Sequence, residues 1–114
     1  MSESAERAAT AAAAEVSAKY IADMRLRVRN AADKLDAEIE DLIRAARGAL
    51  ALAGVLHDKA ANESDPLVKQ AVSTYVKAEF GLDNEDAEKY RASFEKQKIA
   101  LALASDYIET AEGV

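Results

Sequence analysis

Carboxylates, a lone histidine and a run of arginines are the residues of this sequence that could carry chemistry, and their spacing decides which chemistry is open. Asp83, Glu85, Asp86 and Glu88 crowd one short stretch, and a hard divalent cation wants several carboxylates together. A calcium loop, however, alternates its ligands around a central glycine and ends on a distal glutamate, whereas here Gly81 precedes the acids. The cluster reads instead as structural charge at the positive end of a helix dipole. Asp36, Glu40 and Asp41 could be considered for acid-base work, but their helical spacing and the nearby Arg44 favour a solvated face. His57 has Ala53 and Gly54 before it and Ala60 and Ala61 after it, so the Glu-x-x-His motif of a di-iron bundle is absent, and it reads as an exposed loop residue. There is no cysteine, which removes thiol nucleophiles, disulfides and cysteine-ligated zinc together. The glycines at 48, 54, 81 and 113 are isolated, so no phosphate-cradling loop exists. With no nucleophile and base, metal set or cofactor loop, the expectation is a protein that is not an enzyme and holds no metal or cofactor.

Two features remain as candidate binding surfaces. Arg25, Arg27 and Arg29 alternate with Met24, Leu26 and Val28. Three alternating arginines suit an acidic neighbouring subunit or a phosphate backbone, and a solvent-facing edge is the plainer alternative. The net charge of -6 argues against non-specific nucleic-acid binding, which draws its free energy from cations displacing counterions. That acidity belongs to the second half: residues 1–54 carry 8 basic and 9 acidic groups, residues 55–114 carry 7 and 12. Tyr75, Phe80, Tyr90 and Phe94 each lie on a helical apolar stripe and read as core rather than a base-stacking platform. The second feature is C-terminal. Tyr107 and Ile108 stand among Asp106, Glu109 and Glu112, which fits either a docking peptide or a disordered terminus.

The elements that must position these residues are helical. The 114 residues amount to one domain's worth, with 50% apolar, only six aromatic and 27 alanine. At 32% charged residues there is no run of 18 apolar positions to span a membrane. The acids at Glu3 and Glu6 stand where a secretory signal needs a basic start, so the chain is expected to stay in the cytoplasm where it is made. Alanine buries little area, so stability is expected to lean on association with other subunits.

From Ser4 to about Ala22 the stripe Ala5, Ala9, Ala12, Val16, Tyr20 predicts a helix whose first dozen residues have almost nothing to bury, and which frays or orders only against a partner. Met24 to Arg29 fits a short extended segment by its period of two, or a continued helix with Tyr20, Met24 and Val28 on one face. Asn30 to Lys34 reads as a turn. A helix over about 35–53 follows from Leu35, Ile39, Leu42, Ile43, Ala46 and Leu50, with Gly54 as its stop. Val55 to Ser64 has no period and reads as a surface loop. Asp65 then caps, and Pro66 begins, a helix over about 66–80 whose only polar strip is Gln70, Ser73, Thr74 and Lys77, which predicts a central position. Gly81 ends it, and a helix over about 84–103, antiparallel to the last, buries Ala87, Tyr90, Phe94, Leu101 and Ala104. The expected fold is all-α, a small antiparallel helical bundle. Its expected parts are an alanine-rich N-terminal extension over 1–23, a helical domain over 24–104 and a C-terminal tail over 105–114.

Three blocks then carry a resemblance. They are the run from Leu35 to Ala46 with Ala53-Gly54-Val55, the run from Asp65-Pro66-Leu67 to Phe80-Gly81, and Asp83 to Tyr90 with Leu101 to Tyr107. In order and spacing they resemble the small head-tail connector (adaptor, or head-completion) proteins of long-tailed bacteriophages and prophages, over roughly Met24 to Ile108. The Asp-Pro-Leu helix joined to the Phe-Gly/Asp-Asn turn is the most specific part. Residues 1–20 look like an extension to the family's usual start. The resemblance implies a structural virion protein at the head-tail interface, assembled in the bacterial host cytoplasm. It implies a homo-oligomeric ring, of roughly twelve subunits to match the portal, that docks beneath the portal protein after DNA packaging. It implies a platform for the stopper or tail-completion protein and a portal contact through the C-terminal segment, here Asp106, Tyr107 and Ile108. Arg25, Arg27 and Arg29 would then meet acidic groups of an adjacent subunit, and DNA would pass through a net negative channel without specific binding. A small helical DNA-binding or packaging-associated protein, contacting phosphate through the same three arginines, is the alternative.

Overall fold

Alanine makes helix the default along this chain, so what shapes the fold is the chemistry that interrupts helices. The computed structural model describes residues 3–29, 33–81 and 84–109. These form α1 (Glu3–Ala13), α2 (Ala18–Arg27), α3 (Asp36–Leu52), α4 (His57–Ala60), α5 (Pro66–Glu79), α6 (Ala87–Leu103) and a closing 3₁₀ turn, Ser105–Tyr107. Among the described residues there is no strand, only an isolated antiparallel bridge between Val55 and Ile108. The all-α bundle expected from the sequence is the fold observed, with its three long core helices as α3, α5 and α6.

The start signals act as their chemistry dictates. The Asp65 carboxylate accepts from the N–H groups of Leu67 and Val68 while Pro66 occupies the first turn. Gly54 (φ +123°) and Gly81 (φ +86°) take the left-handed backbone that lets the chain leave α3 and α5. The α6 helix starts at Ala87 rather than 84, because the Asn84 amide turns back to donate to the Lys77 and Ala78 carbonyls at the end of α5.

The helices pack in the order α1, α3, α5, α6, and α2 lies across α3 and α5. The core is built from Ile39, Ile43 and Leu50 of α3, Val68, Val72 and Val76 of α5, Tyr20 and Met24 of α2, and Phe94 and Leu101 of α6. Tyr75 meets Phe94 edge to face, with ring centroids 5.1 Å apart. The expected polar strip of α5 is narrower than the sequence suggests. Ser73 and Thr74 are buried, and their hydroxyls are satisfied by donating to the Gln70 carbonyl.

Further expectations are corrected. The helix from Ser4 to Ala22 is broken at Ala14–Ser17, where the Ser17 hydroxyl accepts from the Tyr20 N–H and starts α2. The first dozen residues do find a surface: α1 lies along α3 with Ala11 fully buried. Met24 to Arg27 is helical, so the extended alternative for that stretch is not taken. Nor is 55–64 a surface loop, since Val55 and Ala60 are buried and 57–60 form α4. His57 itself is exposed. Asn30 to Ala32 of the expected turn, and Asp83 of the acidic cluster, lie outside the described residues.

The contact of α1 with α3 is close because it is made by small residues. A methyl group at Gly48 would stand 3.7 Å from the Ala8 carbonyl oxygen and 3.8 Å from the Ala12 Cβ, which is ordinary van der Waals contact. Gly48→Ala is therefore expected to raise stability by about 0.5–1 kcal/mol through lost unfolded-state freedom. A higher urea midpoint at unchanged slope is the expected reading, and a lower midpoint would show that α1 has no room to spare.

Candidate interaction surface

The residue that organises the N-terminal half is an arginine on an apolar stripe. Arg47 follows Ile43 by four and precedes Leu50 by three, so α3 turns its guanidinium inward, and the side chain is 1% exposed. One Nη donates to the Ala14 and Glu15 carbonyls, and the other donates to the Glu63 carboxylate at 3.2 Å. One turn earlier, Arg44 donates to the Ala12 and Ala14 carbonyls at 2.7 and 2.9 Å and pairs with Glu40. Carbonyls at the end of α1 that lack helical partners are thus satisfied by two cations at the negative end of its dipole. Glu63 completes the clasp by accepting from both the N–H and the hydroxyl of Ser17. Tyr20 lies against Arg47 and Lys69, 5.6 Å from each cation to the ring centroid, and burial above all pushes its hydroxyl up to about 12. Sequence reasoning missed this clasp, and the one available signal was the arginine interrupting the α3 stripe.

The clasp makes stability depend on acid. Burial alone would raise the Glu63 carboxyl, but the Ser17 hydroxyl and N–H, and then Arg47, outweigh it and hold Glu63 below its ordinary value. Asp23 is also held low, by Lys69 first and Lys19 second. Groups depressed in the folded state stabilise it fully above the ordinary carboxylate range and lose that contribution as pH falls through their folded values. Thermal melts are therefore expected to be flat from neutral pH down to that range and to fall steeply below it. In Glu63→Gln the fall should be shallower, and an unchanged slope in that variant would show that Glu63 does not carry the effect.

The three candidate arginines do not share one surface. Arg25 is half-buried and pairs with Asp36 at 2.8 Å, joining the end of α2 to the start of α3. Arg27 is exposed, with one Nη donating to the Ser73 hydroxyl at 3.3 Å. Arg29 follows in the left-handed region at φ 58°. Arg27 and Arg29 line a cleft of about 270 Å³ with Lys77 of α5, floored by Val28 and Phe80 and flanked by Asn84, Asp86 and Tyr90. The Lys77 ammonium sits 5.7 Å from the Tyr90 ring centroid. The structure thus brings together two of the three predicted arginines and adds a lysine from α5 that the sequence assigned to a polar strip.

The C-terminal candidates are folded back on the body. The Tyr107 carbonyl accepts from the Leu56 N–H at 2.8 Å, Ile108 bridges to Val55, and both side chains are half-buried. The Lys59 ammonium lies 6.0 Å from the Tyr107 ring centroid. Burial, and then a hydrogen bond to Asp65, raise the Tyr107 hydroxyl above its ordinary value. Asp106 is exposed. Residues 110–114 of the expected tail lie outside the described residues. Beside Tyr107, an apolar cleft of about 260 Å³ runs between α5 and α6, lined by Leu67, Gln97, Leu101 and Ala104 among others. The Gln97 side-chain oxygen is buried without a hydrogen-bond partner. Large apolar side chains are exposed as well, Leu103 at 77% and Leu26 at 72%, together with Leu52, Leu67 and Ile99.

Among the described residues no group of three or more carboxylates and histidines is placed to hold a metal ion. No helix among them is long and apolar enough to cross a membrane. Compared with known proteins, the chain matches the family model described as phage connector protein over residues 23–108. No curated protein and no solved structure matches it.

Proposed function

We propose, since this chain belongs to the phage connector protein family, that it serves as a ring-forming adaptor between the portal vertex of the phage head and the tail or its stopper. In this reading the chain is a structural virion component, catalyses nothing, and extends the channel through which packaged DNA passes. The observation that carries the reading is the extent of the family match: residues 23–108 take in α3 to α6 and the bridge of Val55 to Ile108.

The physical features support the same role. A small all-helical body that leaves Leu26, Leu52, Leu67, Ile99 and Leu103 exposed has apolar surface to bury in an assembly. Arg27 and Arg29 are available to a neighbouring subunit, while Arg25 already serves Asp36 within its own chain. Tyr107 lines an apolar cleft, with half-buried Ile108 and exposed Asp106 on either side of it in the chain, which suits a portal contact. A duplex-binding role has less in its favour: one of its three phosphate contacts is neutralised internally and the chain carries a net charge of -6.

The test is sedimentation of the full chain with DNA-filled, tail-less capsids. Binding is expected to saturate and to require the portal, and to weaken in Asp106→Lys, an exposed position. Equal binding to capsids without a portal would contradict the adaptor role.

A further inference from the structure

Several cations that the fold places on its helices already have a carboxylate: Arg25 with Asp36, Arg44 with Glu40, Arg47 with Glu63, Lys19 and Lys69 with Asp23, Arg91 with Glu79 and Glu88, and Lys98 with Glu95. Arg27, Arg29 and Lys77 make no such pair among the described residues, although the chain carries six more acids than bases. They come from α2, the turn after it and α5, and they converge on one cleft whose lining includes a single carboxylate, Asp86. Arg27 is steadied by Ser73 and Lys77 by the face of Tyr90. The result is a positive concavity in an acidic protein, shaped to take carboxylates, with two guanidiniums able to bind them in bidentate fashion.

We infer that this cleft receives the Glu38 and Asp41 carboxylates of a second copy of the chain. The inference rests on the ring-adaptor reading above and names the contact that would join its subunits. Glu38 and Asp41 are three residues apart on α3, so they share a face, and both are exposed without an ion pair among the described residues. Ala37 and Ala45 beside them are also exposed, and such small residues let another surface approach closely. On the same helix Asp36 and Glu40 are already taken by Arg25 and Arg44. Of the other acids, Glu88 and Glu95 are paired, Asp86 lines the cleft itself, and Glu3 and Glu6 precede the span that the family model matches. Donor cleft and acceptor pair lie on different elements of one chain, so the contact repeats head to tail, and such a contact generates a ring when its rotation closes.

The test is a charge swap read by self-association of the full chain, in solution by sedimentation and on portal-bearing capsids by stoichiometry. Arg27→Glu with Arg29→Glu, and separately Glu38→Arg with Asp41→Arg, should each weaken assembly at least about tenfold through like-charge contact. An equimolar mixture of the two variants should restore assembly, because each then offers the face the other needs. Circular dichroism checks that both variants remain folded. Assembly of either folded variant at the wild-type level, or failure of the mixture, overturns the pairing. So does a wild type that never self-associates. Salt-sensitive duplex binding that is lost with the two arginines, while assembly is unaffected, would assign the cleft to nucleic acid instead. Self-association without portal binding would leave this contact standing and remove only the adaptor role.

Discussion

An Arg47→Ala chain is expected to lose about 3 kcal/mol or more of folding stability, out of a total of about 5–15 kcal/mol for a domain of this kind. The cost comes from the groups left behind. The substitution removes the donors to the Ala14 and Glu15 carbonyls and the partner of Glu63, and it opens a void where a fully buried side chain stood. Glu63 keeps its two bonds to Ser17 and is 27% exposed at the side chain, so its loss is smaller than that of a carboxylate stranded in a dry core. Arg47→Met, which keeps most of the volume, separates the two costs. If Arg47→Met is as unstable as Arg47→Ala, the lost hydrogen bonds dominate; adding Glu63→Gln to it should then recover part of the loss. The measurement is urea unfolding at neutral pH. A loss below about 1 kcal/mol in Arg47→Ala would mean that the clasp does not hold the N-terminal helices to α3.

Ending the chain after Ala104 is expected to cost a similar amount, about 3 kcal/mol, relative to a chain that ends after Glu109. The first truncation removes the Tyr107 carbonyl that accepts from Leu56, the Tyr107 hydroxyl that binds Asp65, and the half-buried side chains of Tyr107 and Ile108. It also uncovers Val55, which is fully buried. Two hydrogen bonds, each of modest net worth, and the apolar area of two half-buried side chains account for the figure. Because the same residues are proposed to meet the portal, stability and binding must be read separately. Asp106→Lys, at an exposed position, addresses binding, and the truncation addresses the fold. Equal stability of the two truncated chains would show that 105–109 contribute nothing to the body.

Much of the fold was legible in the residues, and the reason differs by element. Asp65-Pro66 and Gly54 act through local backbone chemistry, which a sequence displays directly, and α3 and α5 therefore lie within a residue of where periodicity puts them. The break at Ala14–Ser17 was hidden because alanine favours helix and the local signal there is a single serine, the cap at Ser17. What ends α1 is distant: arginines some thirty positions later take its last carbonyls. The buried face of 55–64 was hidden for the same reason, since Val55 is covered by Ile108 from the far end of the chain. The basic cleft is a third case. Arg27 and Arg29 were visible as a motif, but Lys77 joins them only because α2 crosses α5, and Arg25 leaves them only because Asp36 starts α3 beside it.

The proposed adaptor role requires this chain to add a layer to the portal vertex. Purified protein mixed with portal-containing, tail-less, DNA-filled capsids and imaged at the vertex by electron cryomicroscopy tests it most directly. A ring of extra density is expected beneath the portal, continuous with its channel, with α3, α5 and α6 as its long rods. A bare portal at saturating protein, or density scattered over the capsid shell instead, would contradict it.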